Sequence, residues 1–146
     1  MTSKEGSMTQ IKICGFTDPK EAVFVSYPDV SYMGMVLFFE KSKRNISLET
    51  AKAILRAADP RIKKVAVVVS PSPAQAEEIE KAGFDYMQVH GVLGAEVLSM
   101  TRLPIIRAYN GKTEEEDDPR ICAHLFDAAE PVKKMKSVSF ADFSIT

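Results

Sequence analysis

The sequence predicts an α/β protein in which strands and helices alternate and the strands build a mostly parallel sheet. Strand-sized apolar runs recur along the chain, helix N-caps follow them, and the connections are short. Residues 65–69 (VAVVV) are largely β-branched, as in strands that a parallel sheet buries on both faces. This alternation requires right-handed crossovers and leaves two architectures open, a doubly wound sheet and a (β/α) barrel.

The first strand and helix are predicted from the N-terminal quarter of the chain. Residues 11–16 form the strand. Asp18 is then suited to an N-cap, Pro19 to the first helical position and Glu21 to the returning side chain of a capping box. Residues 32–39 follow as a fully buried second strand.

Two further helices carry clear start and stop signals. Ser47 is predicted to cap a helix that ends at Pro60, and Ser72 to cap one that ends at Gly83. The third strand, residues 65–69, lies between them. The later elements are strands at 86–90, 104–109 and 125–128 and helices at 95–100 and 114–123.

Length and composition predict one domain without a nucleic-acid or membrane partner. The chain has 146 residues, 45% of them hydrophobic, so residues 11–146 are expected to form a single domain after a flexible lead-in, residues 1–10. The net charge of −1 gives no basic footprint for nucleic acid. No apolar run approaches the roughly 20 residues of a membrane-spanning helix, and the N-terminus lacks the apolar core of a secretion signal. We therefore expect a soluble protein.

The cysteines and histidines predict a cytoplasmic protein without a metal or other cofactor. Cys14 and Cys122 lie far apart and form no CxxC pair, and the chain has only two histidines, His90 and His124. These residues build neither a zinc site nor a disulfide framework. Cys122 and His124 are interpreted as structural.

Candidate functional residues follow the strands, because catalytic groups of parallel α/β folds cluster at the carboxyl ends of the strands. The rule selects Cys14, the basic loop 41–44, His90, Arg107 and Asp127. Each also has an ordinary structural interpretation: a packed thiol, a solvated loop, a strand-end histidine or a helix cap.

Three segments resemble one enzyme family. Residues 12–17 (KICGFT), 42–47 (SKRNIS) and 88–91 (QVHG) are similar, in the same order, to signatures of the phosphoribosylanthranilate isomerases, barrel enzymes of tryptophan synthesis. The resemblance implies a TIM barrel, here incomplete with about six strands. It also implies an Amadori rearrangement of N-(5'-phosphoribosyl)anthranilate, in which an acid protonates the sugar-ring oxygen and a base takes the proton from the neighbouring carbon.

The resemblance also implies residue roles. Cys14 corresponds to the general base, which works only as a thiolate, so we expect a cation or a backbone dipole beside it. Asp127 corresponds to the general acid, which must stay protonated, most simply in apolar surroundings. Arg44 would bind the anthranilate carboxylate with its guanidinium fork. His90 and Arg107 are further substrate-binding candidates, with His90 mainly structural.

A complete barrel needs roughly 200 residues, so two βα units and their phosphate-binding loops are expected to be missing. We expect a homo-oligomer, a homodimer in the simplest case, to cover the open sheet edges. Two functions stay open at this point. One is an isomerase of this family, and the other is a catalytically silent binding or regulatory domain that keeps its signatures.

Overall fold

The strands form one parallel sheet in the computed structural model, which describes residues 11–22, 30–110 and 118–127. The elements in chain order are β1 (Ile11–Cys14), α1 (Pro19–Ala22), β2 (Val30–Leu37), β3 (Asn45–Ile46), α2 (Leu48–Ala57), β4 (Lys63–Val69), α3 (Pro73–Ala82), β5 (Tyr86–His90), α4 (Ala95–Met100), β6 (Ile105–Asn110) and β7 (Ile121–Asp127). The predicted alternation with parallel strands is confirmed.

Six strands make up the main sheet, in the order β1-β2-β4-β5-β6-β7, and the short β3 pairs beside β2. Strands that neighbour each other in the sheet also follow each other along the chain, apart from β3. The sheet curves into a half-barrel. The resemblance thus predicted the correct architecture of the two that the periodicity left open. Within the described residues, β1 and β7 form its two edges.

The sheet has two differently covered faces. The helix face carries strand residues such as Met33, Met35 and Met87, which pack with helix residues such as Ile54 and Ile79 in the larger apolar core. We call the opposite face of the sheet, which the described helices do not cover, the inner face. Its apolar cluster contains strand residues only: Cys14, Val65, Val67, Ile106, Ala108 and Leu125, with Tyr32, Val36, Tyr86 and Ala123 packed against them.

Two of the helix caps that the sequence predicts, at Ser72 and Ser47, are present, whereas Glu21 of α1 accepts from the Thr17 amide and not from Asp18 as the predicted capping box requires. In α3 the Ser72 hydroxyl accepts from the Gln75 amide at 3.1 Å, and the Gln75 side chain accepts from the Ser72 amide at 3.0 Å. Gly83 ends this helix with φ +103°. Ser47 caps α2 by accepting from the Thr50 amide. The helix boundaries were predictable because these bonds are local.

The predicted helix over residues 114–123 is wrong at its C-terminal end, where β7 begins at Ile121. Asp118 accepts from the Arg120 amide with its side chain and from the Ile121 amide with its carbonyl, which builds a turn. Buried Ile121 then pairs with Ile105 of β6. Parallel pairing along all of β6 therefore outweighs the helical pattern of the acidic segment.

Several predicted segments lie wholly or partly outside the described residues. The lead-in at residues 1–10 and the start of that predicted helix, up to residue 117, lie outside the described residues. So does the C-terminal segment from residue 128, and the extent of the single domain stays a prediction. No helix in the described ranges is long and apolar enough to span a membrane.

The loops at the carboxyl end of the sheet are tied to each other. Ser70, directly after β4, has φ +46°, and its amide donates to the His90 carbonyl at 2.9 Å. The Ser70 hydroxyl accepts from the Val92 amide at 2.9 Å. Gly91 has φ +74°, and a Cβ atom there would lie 3.2 Å from Val69 Cγ1 and closer still to the Ser70 hydroxyl. Only glycine fits at position 91.

Candidate active site

Cys14 is the last residue of β1 and lies on the inner face, at the carboxyl end of the sheet. It is buried and has a free thiol. Its Cα pairs with that of Gly34 on β2. A Cβ atom on Gly34 would lie 2.9 Å from Cys14 Sγ, so the thiol occupies the space that glycine leaves open. The structure therefore gives Cys14 a fixed position on the face opposite the helices.

Lys12 lies beside Cys14 on the same face, because residues two apart in a strand point to the same side. Its side chain is fully buried, and its Nζ makes no hydrogen bond. That Nζ would lie 3.1 Å from a Cβ on Gly34, the position that Sγ also faces. Burial lowers the pKa of Lys12, while the attraction of a Cys14 thiolate raises it. An amine whose ammonium form would stabilise a thiolate thus lies two positions from Cys14 on the same strand.

Arg44 reaches the end of β1 from the loop after β2. The Gly15 backbone has φ +92°, and a Cβ atom there would lie 2.8 Å from Arg44 Cδ and against its guanidinium. The Gly15 amide donates to the Gly34 carbonyl at 3.0 Å, which fixes this turn. The exposed Arg44 side chain therefore crosses the backbone directly after Cys14. The structure brings these two sequence-predicted residues together.

His90 ends β5 on the inner face and is held by its own strand. Gln88 Nε2 lies 2.9 Å from His90 Nε2, and the two side chains share one face of β5. Burial, together with the charges of Lys12 and Arg107, lowers the pKa of His90 to about 4. His90 is therefore a neutral imidazole at physiological pH. It can bind a ligand through hydrogen bonds and contributes no charge.

Arg107 is placed differently from the other candidates. It lies on β6 between Ile106 and Ala108, whose side chains belong to the inner face, so its own side chain leaves the strand on the helix face. Its buried guanidinium donates to the carbonyl oxygens of Val89 at 2.9 Å and Gly91 at 2.6 Å. It also lies over the Tyr109 ring. The structure does not bring Arg107 onto the face of Cys14, and its substrate-binding role stays a prediction.

Asp127 is the last residue of β7 and pairs with Asn110 of β6. It thus lies at the same carboxyl end as Cys14, on the opposite edge of the half-barrel. Its predicted role as the acid, across a cleft from Cys14, stays a prediction. Within the described ranges, no three histidine, cysteine, aspartate or glutamate side chains come together as metal ligands.

Sequence reasoning missed Lys12, Gly34 and Gln88 as members of the site. A signal for Lys12 was available, because a lysine two positions before Cys14 in a strand has to share its face. Gln88 could have been placed with His90 by the same spacing. Gly34 could not have been found in this way, since its importance depends on the pairing of β1 with β2.

The comparisons with known proteins agree with this geometry. The family model described as N-(5'-phosphoribosyl)anthranilate (PRA) isomerase matches residues 11–135, nearly the whole chain. The chain belongs to this family. The phosphoribosylanthranilate isomerase signatures identified in the sequence lie within that match, on β1, on the loop after β2 and on β5.

Among its relatives is the N-(5'-phosphoribosyl)anthranilate isomerase of Streptococcus gordonii, which is 35% identical over 123 residues. That match covers 83% of this chain and 62% of the relative. The chain therefore spans less than two thirds of the length of this curated relative.

Two solved structures of the family share the fold. A phosphoribosylanthranilate isomerase in complex with reduced 1-(o-carboxyphenylamino)-1-deoxyribulose 5-phosphate is 31% identical, with a TM-score of 0.62 and coverage of 69% of this chain and 53% of that one. A monomeric form of the dimeric enzyme of Thermotoga maritima is 30% identical, with a TM-score of 0.60 and coverage of 69% and 52%.

Proposed function

We propose that this chain catalyses the isomerisation of N-(5'-phosphoribosyl)anthranilate to 1-(2-carboxyphenylamino)-1-deoxyribulose 5-phosphate, a step of tryptophan biosynthesis. The observation that carries the proposal is the placement of Cys14. It lies at the carboxyl end of β1, on the face without helices, between Lys12 and the turn that Arg44 crosses. Membership of the family and the relative with a bound product analogue support the same reaction.

The reaction needs two proton transfers at neighbouring atoms. Asp127 gives a proton to the sugar-ring oxygen, the bond from that oxygen to C1 breaks, and the anilino nitrogen forms a double bond to C1. The Cys14 thiolate then takes the proton from C2, which leaves an enolamine that tautomerises to the aminoketone. Cys14 and Asp127 end the two edge strands of the described sheet at the same carboxyl end, and we infer that they act from two sides of the sugar.

Substrate orientation is assigned to the groups around this pair. Arg44 is exposed and beside Gly15, so its guanidinium is available for the anthranilate carboxylate. Neutral His90 is available as a hydrogen-bonding partner for the sugar. The Arg107 guanidinium, which donates to the Val89 and Gly91 carbonyls, supports the strand end that carries His90.

The reaction is tested by an assay of the purified protein. Phosphoribosylanthranilate is followed by its fluorescence in the parent chain and in Cys14→Ala and Asp127→Asn. Turnover by the parent that falls by at least about a thousandfold in both variants supports the proposal, since removing a base or an acid costs powers of ten in rate. A folded parent without turnover overturns it and favours a silent binding domain.

We also infer a cytoplasmic homodimer. Cys14 and Cys122 are both free thiols, which suits a reducing compartment. In the described part of the chain, β1 and β7 pair on one side only, and such edges favour association. The Thermotoga maritima relative is itself dimeric.

A further inference from the structure

Lys12 is an unusual residue for a buried position in a β-strand. It is fully buried, and its Nζ has no hydrogen-bond partner. Lys64, the other buried lysine of the described ranges, donates from Nζ to the Asp59 carbonyl at 3.0 Å. Burial of an unpaired ammonium costs several kcal/mol and lowers the pKa of Lys12, and an anion beside Nζ would offset this cost.

The groups around Lys12 identify that charge. Cys14 lies two positions along β1, and its sulfur faces the same space beside Gly34 that Nζ faces. Tyr32 pairs with Lys12 on β2, and burial raises its pKa, so it is a neutral phenol. His90 on β5 is a neutral imidazole, because burial and the charges of Lys12 and Arg107 lower its pKa. Of these described neighbours of Nζ, the thiol of Cys14 is the one that acts as an anion in the proposed reaction.

We propose that Lys12 is a positioning residue that holds Cys14 as a thiolate, and that Gly34 provides the room in which the ammonium and the sulfur meet. The proposal rests on the proposed function, since it assigns Lys12 a part in the same reaction. In the pair, the proton resides on Nζ and the negative charge on Sγ. Cys14 takes up the proton from the sugar carbon, and Lys12 keeps its own proton throughout.

Gly34 is the second member of this arrangement. A Cβ atom at position 34 would lie 2.9 Å from Sγ and 3.1 Å from Nζ, and β2 has little freedom to move because it is paired on both sides. An alanine would therefore push the ammonium and the sulfur apart. The spacing of the pair therefore depends on the missing side chain of Gly34, and less on the backbone conformation of this glycine.

The experiment uses the Cys122→Ser chain, in which Cys14 is the remaining thiol. The thiolate absorbance of Cys14 is titrated against pH in this parent and in Lys12→Met, with a Cys14→Ser chain as the baseline. Removal of an opposite charge at contact distance shifts a titration by about 1–3 pH units. We expect the midpoint in Lys12→Met to rise by at least about one unit, which is a tenfold decrease in the acid dissociation constant of the thiol. An unchanged midpoint overturns the proposal.

Lys64→Met is the matched control. It removes the same charge from a buried position on β4, a strand that does not pair with β1. This change should leave the midpoint of Cys14 unchanged. An equal shift of the midpoint in both variants would mean that it comes from the net charge of the protein, and it would also overturn the proposal. Circular dichroism checks that the Lys12→Met chain folds, which is expected because a buried unpaired charge is replaced by an apolar chain of similar length.

Kinetics separate this proposal from the function on which it rests. In Lys12→Met, kcat at pH values below both midpoints should fall about tenfold or more and recover towards alkaline pH, with KM unchanged. A parent without turnover contradicts the proposed reaction, whereas the titration still decides the pairing of Lys12 with Cys14. An active parent whose kcat profile does not change in Lys12→Met contradicts the role of Lys12 alone.

Discussion

Arg107 donates from Nη2 to the Gly91 carbonyl at 2.6 Å, so a side chain of β6 holds the backbone at the carboxyl end of β5. Its Nη1 donates to the Val89 carbonyl of the same strand at 2.9 Å. The end of β5 carries His90. The position of this histidine therefore depends on an arginine that leaves its own strand on the opposite face of the sheet.

Replacement of Arg107 should destabilise the protein strongly. Arg107→Met leaves the carbonyls of Val89 and Gly91 without these charged donors, and we expect the free energy of unfolding to fall by about 3 kcal/mol. Urea denaturation measures this loss. Arg61→Met is the control, because Arg61 pairs with Asp59 at the surface, and its loss should leave the free energy of unfolding nearly unchanged.

The Arg107 experiment also tests the sequence-based prediction that this residue binds substrate. If Arg107 acts only by supporting β5, the Arg107→Lys chain should be less stable. Its binding of reduced 1-(o-carboxyphenylamino)-1-deoxyribulose 5-phosphate should then fall only in proportion to the folded fraction. A tenfold weaker affinity in a fully folded Arg107→Lys chain would instead show direct contact with the ligand.

Stability should fall between neutral and mildly acidic pH because of His90. Its pKa is lowered to about 4 in the folded protein, whereas an unfolded histidine titrates near 6.5. Below pH 6.5 the unfolded chain takes up a proton that the folded chain does not, so the free energy of unfolding falls until about pH 4. The full loss is about 3 kcal/mol, at about 1.4 kcal/mol per unit.

The measurement is urea denaturation at pH 7 and pH 4.5 in the parent and in His90→Gln. The variant should lose less stability than the parent over this interval. Asp59 does not interfere, because the hydrogen bond from Arg61 lowers its pKa to about 2 and its contribution is lost at still lower pH. Equal pH dependence in the two chains would mean that His90 titrates normally.

Gly15→Ala should displace Arg44. The new Cβ would lie against the arginine side chain, and the positive φ adds strain of about 1–2 kcal/mol. We expect KM for phosphoribosylanthranilate to rise about tenfold or more, because the guanidinium loses its place beside the site. Gly83→Ala is the matched control: it has a similar φ, and nothing lies within 4 Å of its Cβ, so it carries the strain alone. An equal rise of KM in both variants would contradict the placement of Arg44.

The oligomeric state is predicted to be a dimer. Static light scattering should give twice the mass of the 16.1 kDa chain, with dissociation on dilution. A mass of one chain at every concentration up to the millimolar range would show that the edges at β1 and β7 are covered in another way.

Local signals in the sequence predicted much of this fold. The capping box of Ser72 and Gln75 and the cap at Ser47 form from residues three apart, so the sequence contains all the information that they need. The start of β7 at Ile121 was missed because it depends on a partner strand sixteen residues earlier. Long-range pairing of this kind outweighs local propensity.

In the candidate site, too, local motifs were predictable from the sequence and features that depend on strand pairing were not. Cys14, Arg44 and His90 were predicted from short motifs, whereas the orientation of Arg107 follows from the register of β5 with β6. A strand buried on both faces has no alternating pattern that would reveal which way a side chain points. For this reason the sequence selected Arg107 but could not assign its face.

The bonds between Ser70 and the end of β5 have a consequence for motion. The amides of Ser70 and Val92 lie in loops, yet the first donates to the His90 carbonyl and the second to the Ser70 hydroxyl, and a Cβ atom at Gly91 would have no room beside Ser70. Amide hydrogen exchange at these two positions should therefore be as slow as in the strands. A ligand that binds His90 meets a backbone whose conformational entropy was already lost when the chain folded, so little of its binding energy is spent on ordering this part of the site.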